Sequence, residues 1–450
     1  MSSANFPDCA CLAAGLRAGK GASKPKRQAE KEDEVMELKS MPQPQTVEEA
    51  GVKRSLLEDL ALKSCYLQGE LTLRELAAVM HLSLGIIREI FEYLRKEQFV
   101  EVKGMAGGDY RVSTTTVGKE RAIALLMQNQ YTGAAPVSFR DYAAQVRNQS
   151  VRDFSVRPEE MVQVFESLVL SESILNQIGT AVVSGTSIFL YGGTGTGKTA
   201  IAELLPRIYH DRVWIPHAVE VDGQIIAVFD PIVHEKIEDP LHTAHDERWV
   251  TCKRPRVLVG GELTFEMLDL QFNPVAKYYS APVQMKANNG VLIIDDFGRQ
   301  RIRPDELLNR WILPLDRHID FLTLAGGRKL EIPFDLFVVF ATNLNPADLA
   351  DEAFLRRIHN KIKVEPMDPV SFKEIFKRLC VQLGLDYDPV VVDYLMDVLA
   401  REFNQPLRAC YARDVINQIR WGAQYEGREA KVTREAVLLA CKYYFISPAA

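Results

Sequence analysis

Apolar residues recur along the 450-residue chain with different periods, and each change of period marks a new part. Residues 1–50 carry few bulky apolar side chains after Phe6, Leu12 and Leu16. Lys20, Lys24, Lys26 and Arg27 precede an acidic stretch over 30–37, then Pro42 and Pro44. That composition predicts a disordered arm, read as a solvated tail in preference to a basic cluster that touches nucleic acid or an acidic surface. Helical spacing begins at Ser55: Leu56, Leu57, Leu60, Leu62 and Cys65 predict a first helix. Thr72-Leu73-Arg74-Glu75 is a capping box that opens a second, with Leu73, Leu76 and Ala77. Ile86, Ile87, Ile90, Phe91 and Leu94 line one face of a third. Residues 99–102 and 110–112 then predict two strands around the Gly-rich tip 104–108.

Three helices followed by a two-stranded wing resemble a winged helix-turn-helix domain over 54–127. Residues 128–157 read as a connector with a short helix over 138–148. Helical spacing returns at Pro158 with Met161, Val164, Phe165, Leu168 and Val169, and again over 172–183. Short unbroken apolar runs follow at 188–191, 291–294 and 336–341. Runs of this length predict strands buried on both faces, as in a parallel sheet. Beyond Val364 the spacing is helical again, with Ser371-Phe372-Lys373-Glu374 capping one helix and others over 389–403, 413–425 and 433–444. The fold class is α/β.

The run 188–191 ends in Gly192-Gly193-Thr194-Gly195-Thr196-Gly197-Lys198-Thr199, and 200–205 is helical. This is the phosphate-binding pattern G-x-x-x-x-G-K-[ST], with a strand before and a helix after. Glycines let the backbone wrap close to an anion, and the exposed N–H groups with the helix N-terminus then face it. Lys198 is placed to reach the β and γ phosphates, and Thr199 to hold Mg²⁺ through its hydroxyl. The run 291–294 ends in Asp295-Asp296, a Walker B arrangement. Asp295 is expected to anchor Mg²⁺ and Asp296 to orient and deprotonate the attacking water. The run 336–341 ends in Thr342-Asn343, whose amide can position that water or touch the γ-phosphate.

Taken in this order, the motifs resemble the AAA+ ATPases over about residues 158–446. The resemblance implies ATP as substrate, Mg²⁺ as cofactor, Asn343 as sensor 1 and the C-terminal helices as a lid. Ala353-Phe354-Leu355-Arg356-Arg357-Ile358 resembles the segment that carries the family's arginine finger. Arg357, with Arg356 as understudy, would then reach the γ-phosphate of a neighbouring copy in a ring read as a hexamer. Arg413 matches the family's sensor 2 on the lid. Positions 198 and 295 are 97 apart, so something is inserted between them. Residues 257–263 are a candidate strand there, followed by a helix and loop bearing Phe272, Tyr278, Tyr279 and Met285. The pairs 318–324 and 328–332 flank Gly326-Gly327 and predict a hairpin. Such insertions resemble the branch of MoxR-type ATPases, magnesium chelatase subunits and enhancer-binding proteins, where they line a ring pore. Phe272, Tyr278 and Tyr279 are candidate substrate contacts there or, equally, core aromatics. One departure stands out. The family places Glu where this chain has Asp296, which draws the carboxylate back by roughly 1.5 Å, about one C–C bond. The chain also lacks the Gly-Ala-Phe-Thr-Gly-Ala loop of enhancer-binding proteins.

Composition adds boundaries. With 47% hydrophobic and 25% charged residues the chain is an ordinary globular one, long enough for about two or three domains. A net charge of −6 argues against a globally basic nucleic-acid binder. In the third helix Arg88, Arg95 and Lys96 are interleaved with Glu89, Glu92 and Glu97, which favours a protein-docking or structural role slightly over DNA binding. No apolar run is long enough to cross a bilayer, and no secretion signal is read at the start. Seven scattered cysteines, of which only Cys9 and Cys11 are close together, predict reduced thiols in a cytoplasm. The expected organisation is an arm (1–50), a winged helix-turn-helix domain (51–130), a linker (131–157), an α/β nucleotide-binding domain (158–366) and a helical lid (367–450). The expected work is ATP-driven remodelling of a protein client, with a DNA-acting regulator or a non-hydrolysing nucleotide switch as alternatives.

Overall fold

The computed structural model describes residues 41–238, 245–349 and 355–445, built around a five-stranded parallel sheet. Its strands lie in the order Arg256–Val259, Val291–Ile294, Phe337–Thr342, Ile188–Tyr191 and Asn360–Lys363. Side chains alternate between two cores, as the period of two along a strand requires. Ile188, Leu190, Val291, Ile293, Phe337 and Val339 pack against helices Glu172–Ser184 and Lys198–Leu204. Phe189, Leu292, Ile294, Val338 and Phe340 pack on the other face against Leu307, Leu308 and Trp311 of helix Pro304–Arg317. Phe340 is fully buried there and stacks on Phe189 with centroids 5.7 Å apart. The expected strand at 257–263 is shorter than its apolar run, because the chain turns at Gly260 and Gly261.

The long insertion folds into sheets of its own. Arg212–Pro216 pairs antiparallel with Trp249–Lys253. A second five-stranded sheet runs Gln271–Phe272, Tyr279–Ser280, Gln224–Ala227, Ala218–Val221 and Val137–Ser138. Its last strand comes from the stretch read as a linker. Val137, Tyr142, Val146 and Val151 are buried, so residues 137–151 are built into the body. Tyr279 is buried, with its hydroxyl accepting from the Ala325 N–H at 2.7 Å, and Tyr278 stands edge-on to Tyr131. Of the three aromatics weighed as substrate contacts, only Phe272 is exposed. The expected hairpin forms between Ile319–Thr323 and Lys329–Pro333.

The N-terminal part of the described chain holds helices Arg54–Gln68, Leu73–Met80 and Leu84–Lys96, then antiparallel strands Val100–Ala106 and Asp109–Thr114. Glu70–Thr72 adds a third strand beside Asp109–Thr114. The capping box is present: the Glu75 N–H donates to Thr72 Oγ1 at 3.2 Å, and the Thr72 N–H donates to the Glu75 carboxylate at 2.6 Å. Val47 and Ala50 are buried in this core, so the last residues of the expected arm belong to it; residues 1–40 lie outside the described ones. Buried Arg248 ties this core to the insertion. It donates to the Ala50 carbonyl at 2.7 Å and the Pro136 carbonyl at 3.3 Å while paired with Asp246.

Helices Pro369–Gln382, Pro389–Arg401, Ala409–Tyr425 and Arg434–Tyr444 form a C-terminal cluster around Phe372, Phe376, Leu395 and Ile416. Its first cap differs from the expected Ser371. Asp368 is the cap, accepting from the N–H groups of Val370 and Ser371, with Pro369 at the first helical position. A proline there loses no helical hydrogen bond, which moves the start upstream of Ser371. Among the described residues no helix is long and apolar enough to cross a membrane.

Candidate active site

Three neighbouring parallel strands end on the same side of the central sheet, and each contributes to one cleft of about 610 Å³. That size suits a small-molecule ligand. The Ile188–Tyr191 strand leads into the glycine loop, whose tight course depends on two close approaches. A Cβ on Gly192 would lie 2.3 Å from the Val364 carbonyl oxygen. Gly195, at φ +74°, presses on the C-terminal cluster: a Cβ there would lie 2.3 Å from Cys410 Sγ. The Cys410 N–H donates to the Gly195 carbonyl at 3.2 Å, so helix Ala409–Tyr425 starts directly on the loop.

Lys198 is buried and donates to the Gly193 carbonyl at 2.7 Å and the Gly192 carbonyl at 3.1 Å. Burial pushes its pKa down, Asp295 and Asp296 hold it up, and Arg408 adds a downward push. These neutral loop oxygens are partners that an ammonium gives up readily to a charged phosphate. Thr199 Oγ1 donates to Asp295 at 2.9 Å, which brings together two hard oxygen donors of the kind Mg²⁺ takes. Lys198, Thr199 and Asp295 thus suit a magnesium nucleotide.

The turn after the Val291–Ile294 strand is pinned from several directions. Asp296 has left-handed backbone, φ +49°, a conformation that a short carboxylate tolerates better than most side chains. Its N–H donates to Asp295 Oδ1 at 3.0 Å, and its own Oδ1 accepts from Asn343 Nδ2 at 3.3 Å. The Phe297 N–H donates to the Ala341 carbonyl at 2.7 Å, and Thr342 Oγ1 returns a bond to the Phe297 carbonyl at 2.6 Å. Asp295, Asp296 and Asn343 are thereby tied to one another and to the end of the Phe337–Thr342 strand.

Lys198, Thr199, Asp295, Asp296, Asn343 and Arg413 all line this cleft, with Thr194, Gly195 and Gly197. Arg413 sits in the second turn of its helix rather than at its start, largely exposed, 3.4 Å from Asp414. Arg356 and Arg357 are not among the lining residues. Arg356 is exposed; Arg357 is half-buried and lines a separate recess with Arg152, His318 and His359. That recess adjoins Ser187 and Leu336, at the opposite ends of the strands from the cleft.

The far wall of the cleft was not singled out in the sequence. It consists of Ser167, Leu168 and Val169 facing Ile375, Arg378, Leu379 and Gln382. Arg378 donates to the Glu166 carbonyl at 2.7 Å and pairs with Glu374, fastening the helical cluster across the cleft. The spacing of 375, 378, 379 and 382 marks one helix face, but nothing local says where that face points.

Comparison with known proteins gives short or shallow matches. The profile of a family described as "Domain of unknown function (DUF8689)" matches residues 368–443, the C-terminal helical cluster. An ATP-dependent lipid A-core flippase of Legionella pneumophila (strain Paris) is 35% identical over 85 residues, which is 18% of this chain and 14% of the flippase. The chain thus spans about a seventh of that relative. NtrX from Brucella abortus in complex with ADP overlaps 70% of this chain and 64% of its own, at 15% identity and a TM-score of 0.37. RuvB of Thermotoga maritima, a Holliday junction branch migration motor, overlaps 61% and 69%, at 14% identity and a TM-score of 0.36. Overlaps at these scores carry no argument about what this chain does.

Proposed function

We propose that this chain is an AAA+ ATPase that binds and hydrolyses ATP with Mg²⁺ to remodel a protein partner. The observation that carries this is the meeting of Lys198, Thr199, Asp295, Asp296 and Asn343 at the ends of three parallel strands. Lys198 exchanges its loop carbonyl partners for phosphate oxygens. Thr199 and Asp295 hold Mg²⁺, which when bound neutralises phosphate charge. Asp296 takes the proton of the attacking water, and Asn343 orients it. Because Asp296 stands where the family places Glu, a nucleotide switch with little hydrolysis is the second reading.

Assembly into a ring, read as a hexamer of the chain itself, supplies the missing cation. Arg357, with Arg356 as understudy, reaches the γ-phosphate of a neighbouring copy; Arg356 is exposed and Arg357 half-buried, and neither lines this chain's own cleft. The helical cluster acts as the lid, with Arg413 touching phosphate. The insertions favour the MoxR-type branch. The N-terminal winged helix docks protein rather than DNA, because several of its cations pair with its own carboxylates and Glu89, Glu92 and Glu97 interleave with the cations of its third helix. Arg54 pairs with Glu58 and Glu89, Arg95 with Glu92, Lys103 with Glu101 and Arg111 with Glu70. Met105, Val102 and Tyr110 of the wing are exposed instead. Action in the cytoplasm completes the proposal.

The test is titration of the full chain with a fluorescent ATP analogue and Mg²⁺, alongside phosphate release. Losing a charged hydrogen-bond donor costs about 1.5–3 kcal/mol, so Lys198→Ala should weaken binding by roughly 10- to 150-fold. Asp296→Asn should keep binding and lose release. Unchanged affinity in Lys198→Ala overturns the proposal. Equal, negligible release by wild type and Asp296→Asn leaves only the switch.

A further inference from the structure

The turn that carries Asp296 is held by a side chain outside the cleft. Gln300 Nε2 donates to the Asp295 carbonyl at 2.8 Å, and Gln300 Oε1 accepts from the Gly298 N–H at 2.8 Å. One amide thus spans the turn from its first residue to its fourth. The Arg299 N–H closes the same turn on the Asp296 carbonyl at 3.0 Å. Gly298, at φ +100°, lies against Leu344 and Leu349, where a Cβ would come within 3.0 Å of both side chains. Inside this clamp Asp296 adopts its left-handed backbone and points its carboxylate at Asn343. Such a backbone costs a non-glycine residue about 1–2 kcal/mol, so something must hold it. The amide of Gln300, with both ends bonded, is placed to do so.

We propose that Gln300 is a positioning residue: by clamping residues 295–300 it holds the Asp296 carboxylate against Asn343, and so compensates for the methylene that Asp lacks relative to Glu. This rests on the ATPase reading, and it names the element that makes a shortened carboxylate workable. Gln300 does not line the cleft, so its removal leaves nucleotide binding alone. A displacement of about 1 Å at a reacting group can cost on the order of 10²-fold in rate.

The experiment measures phosphate release and ATP affinity for wild type, Gln300→Met and Gln300→Ala, each alone and combined with Asp296→Glu. Gln300→Met keeps the stem and its packing while removing both hydrogen bonds; a thermal melt checks that each variant is folded. We expect kcat to fall by about 10²-fold in the Gln300 variants, with KM and ATP affinity within twofold of wild type. Asp296→Glu should lower kcat in the clamped wild-type turn but raise it in the Gln300→Met background. Folded Gln300 variants with wild-type kcat, or equal effects of Asp296→Glu in both backgrounds, overturn the proposal. Wild-type protein that binds ATP but releases no phosphate defeats the ATPase reading itself, a different result from either.

Discussion

The cleft at the end of the central sheet and the N-terminal helical core handle charge differently. In the N-terminal core, several basic side chains close on nearby carboxylates, as Arg54 does on Glu58 and Glu89. In the cleft, Lys198 donates to neutral carbonyls with Asp295 and Asp296 acting on it through space, while Arg378 and Arg413 at the wall pair with Glu374 and Asp414. Asp295 and Asp296 there accept from hydroxyl, amide and N–H donors. A surface whose charges cancel internally has little left for an ionic ligand, whereas one that leaves them underpaired is built to receive one.

The largest expected effect tests how much the cleft depends on the sheet beneath it. Phe340→Ala removes a fully buried ring that touches Phe189, Phe297 and Trp311. It should cost about 3–5 kcal/mol in denaturant unfolding and abolish nucleotide binding. Unfolding followed by a probe in the N-terminal core would show whether the two regions melt together. A variant that keeps its nucleotide affinity would mean that the cleft stands without that layer.

A smaller effect is expected where the two regions meet. His81 of the N-terminal core lies against His217 of the insertion, with ring centroids 4.8 Å apart. Burial, then His81 and Lys236, push the His217 pKa down to about 4. The unfolded chain takes up its proton near pH 6.5 and the folded chain only near 4. The unfolded state therefore binds more protons across that window, and stability falls as pH drops through it. With allowance for partial exposure, the loss should be on the order of 2 kcal/mol between pH 7 and pH 4. Chemical denaturation at both pH values checks this, and His217→Gln should flatten the dependence. An unchanged slope in that variant would place the acid sensitivity elsewhere.

The smallest effect probes the pairing itself. Arg54→Ala breaks one pair with buried Glu58 and one with half-exposed Glu89, so it should cost about 1 kcal/mol in thermal unfolding. It should also leave duplex DNA affinity, measured on the full chain at low salt, where it was. A marked loss of DNA binding would break the contrast, because it would give this region a charge that is not spent internally.

The sequence was most legible where a few contiguous residues carry both the structure and the chemistry. The run 188–199 specifies a strand, a glycine loop and a helix, because backbone freedom at Gly192 and Gly195 and the apolar run before them act locally. The same holds for the strand ending in Asp295-Asp296 and the capping box at Thr72 and Glu75. Local signals blurred where two competed. Asp368-Pro369 overrode Ser371 as a helix cap, and Gly260-Gly261 cut short an apolar strand. Pattern alone determined the α/β class, the order of the motifs and the departure at Asp296. Only the tertiary structure decided that residues 137–151 belong to the body, that Tyr279 is buried, and that Arg357 lines a recess away from the cleft. It also decided that Ile375, Arg378 and Gln382 form the far wall, and that Gln300 clamps the turn beneath Asp296. The physical reason is range. Strand, loop and cap preferences come from neighbours a few residues away, whereas the direction of a helix face or a lone side chain is settled by packing partners that the sequence places far off.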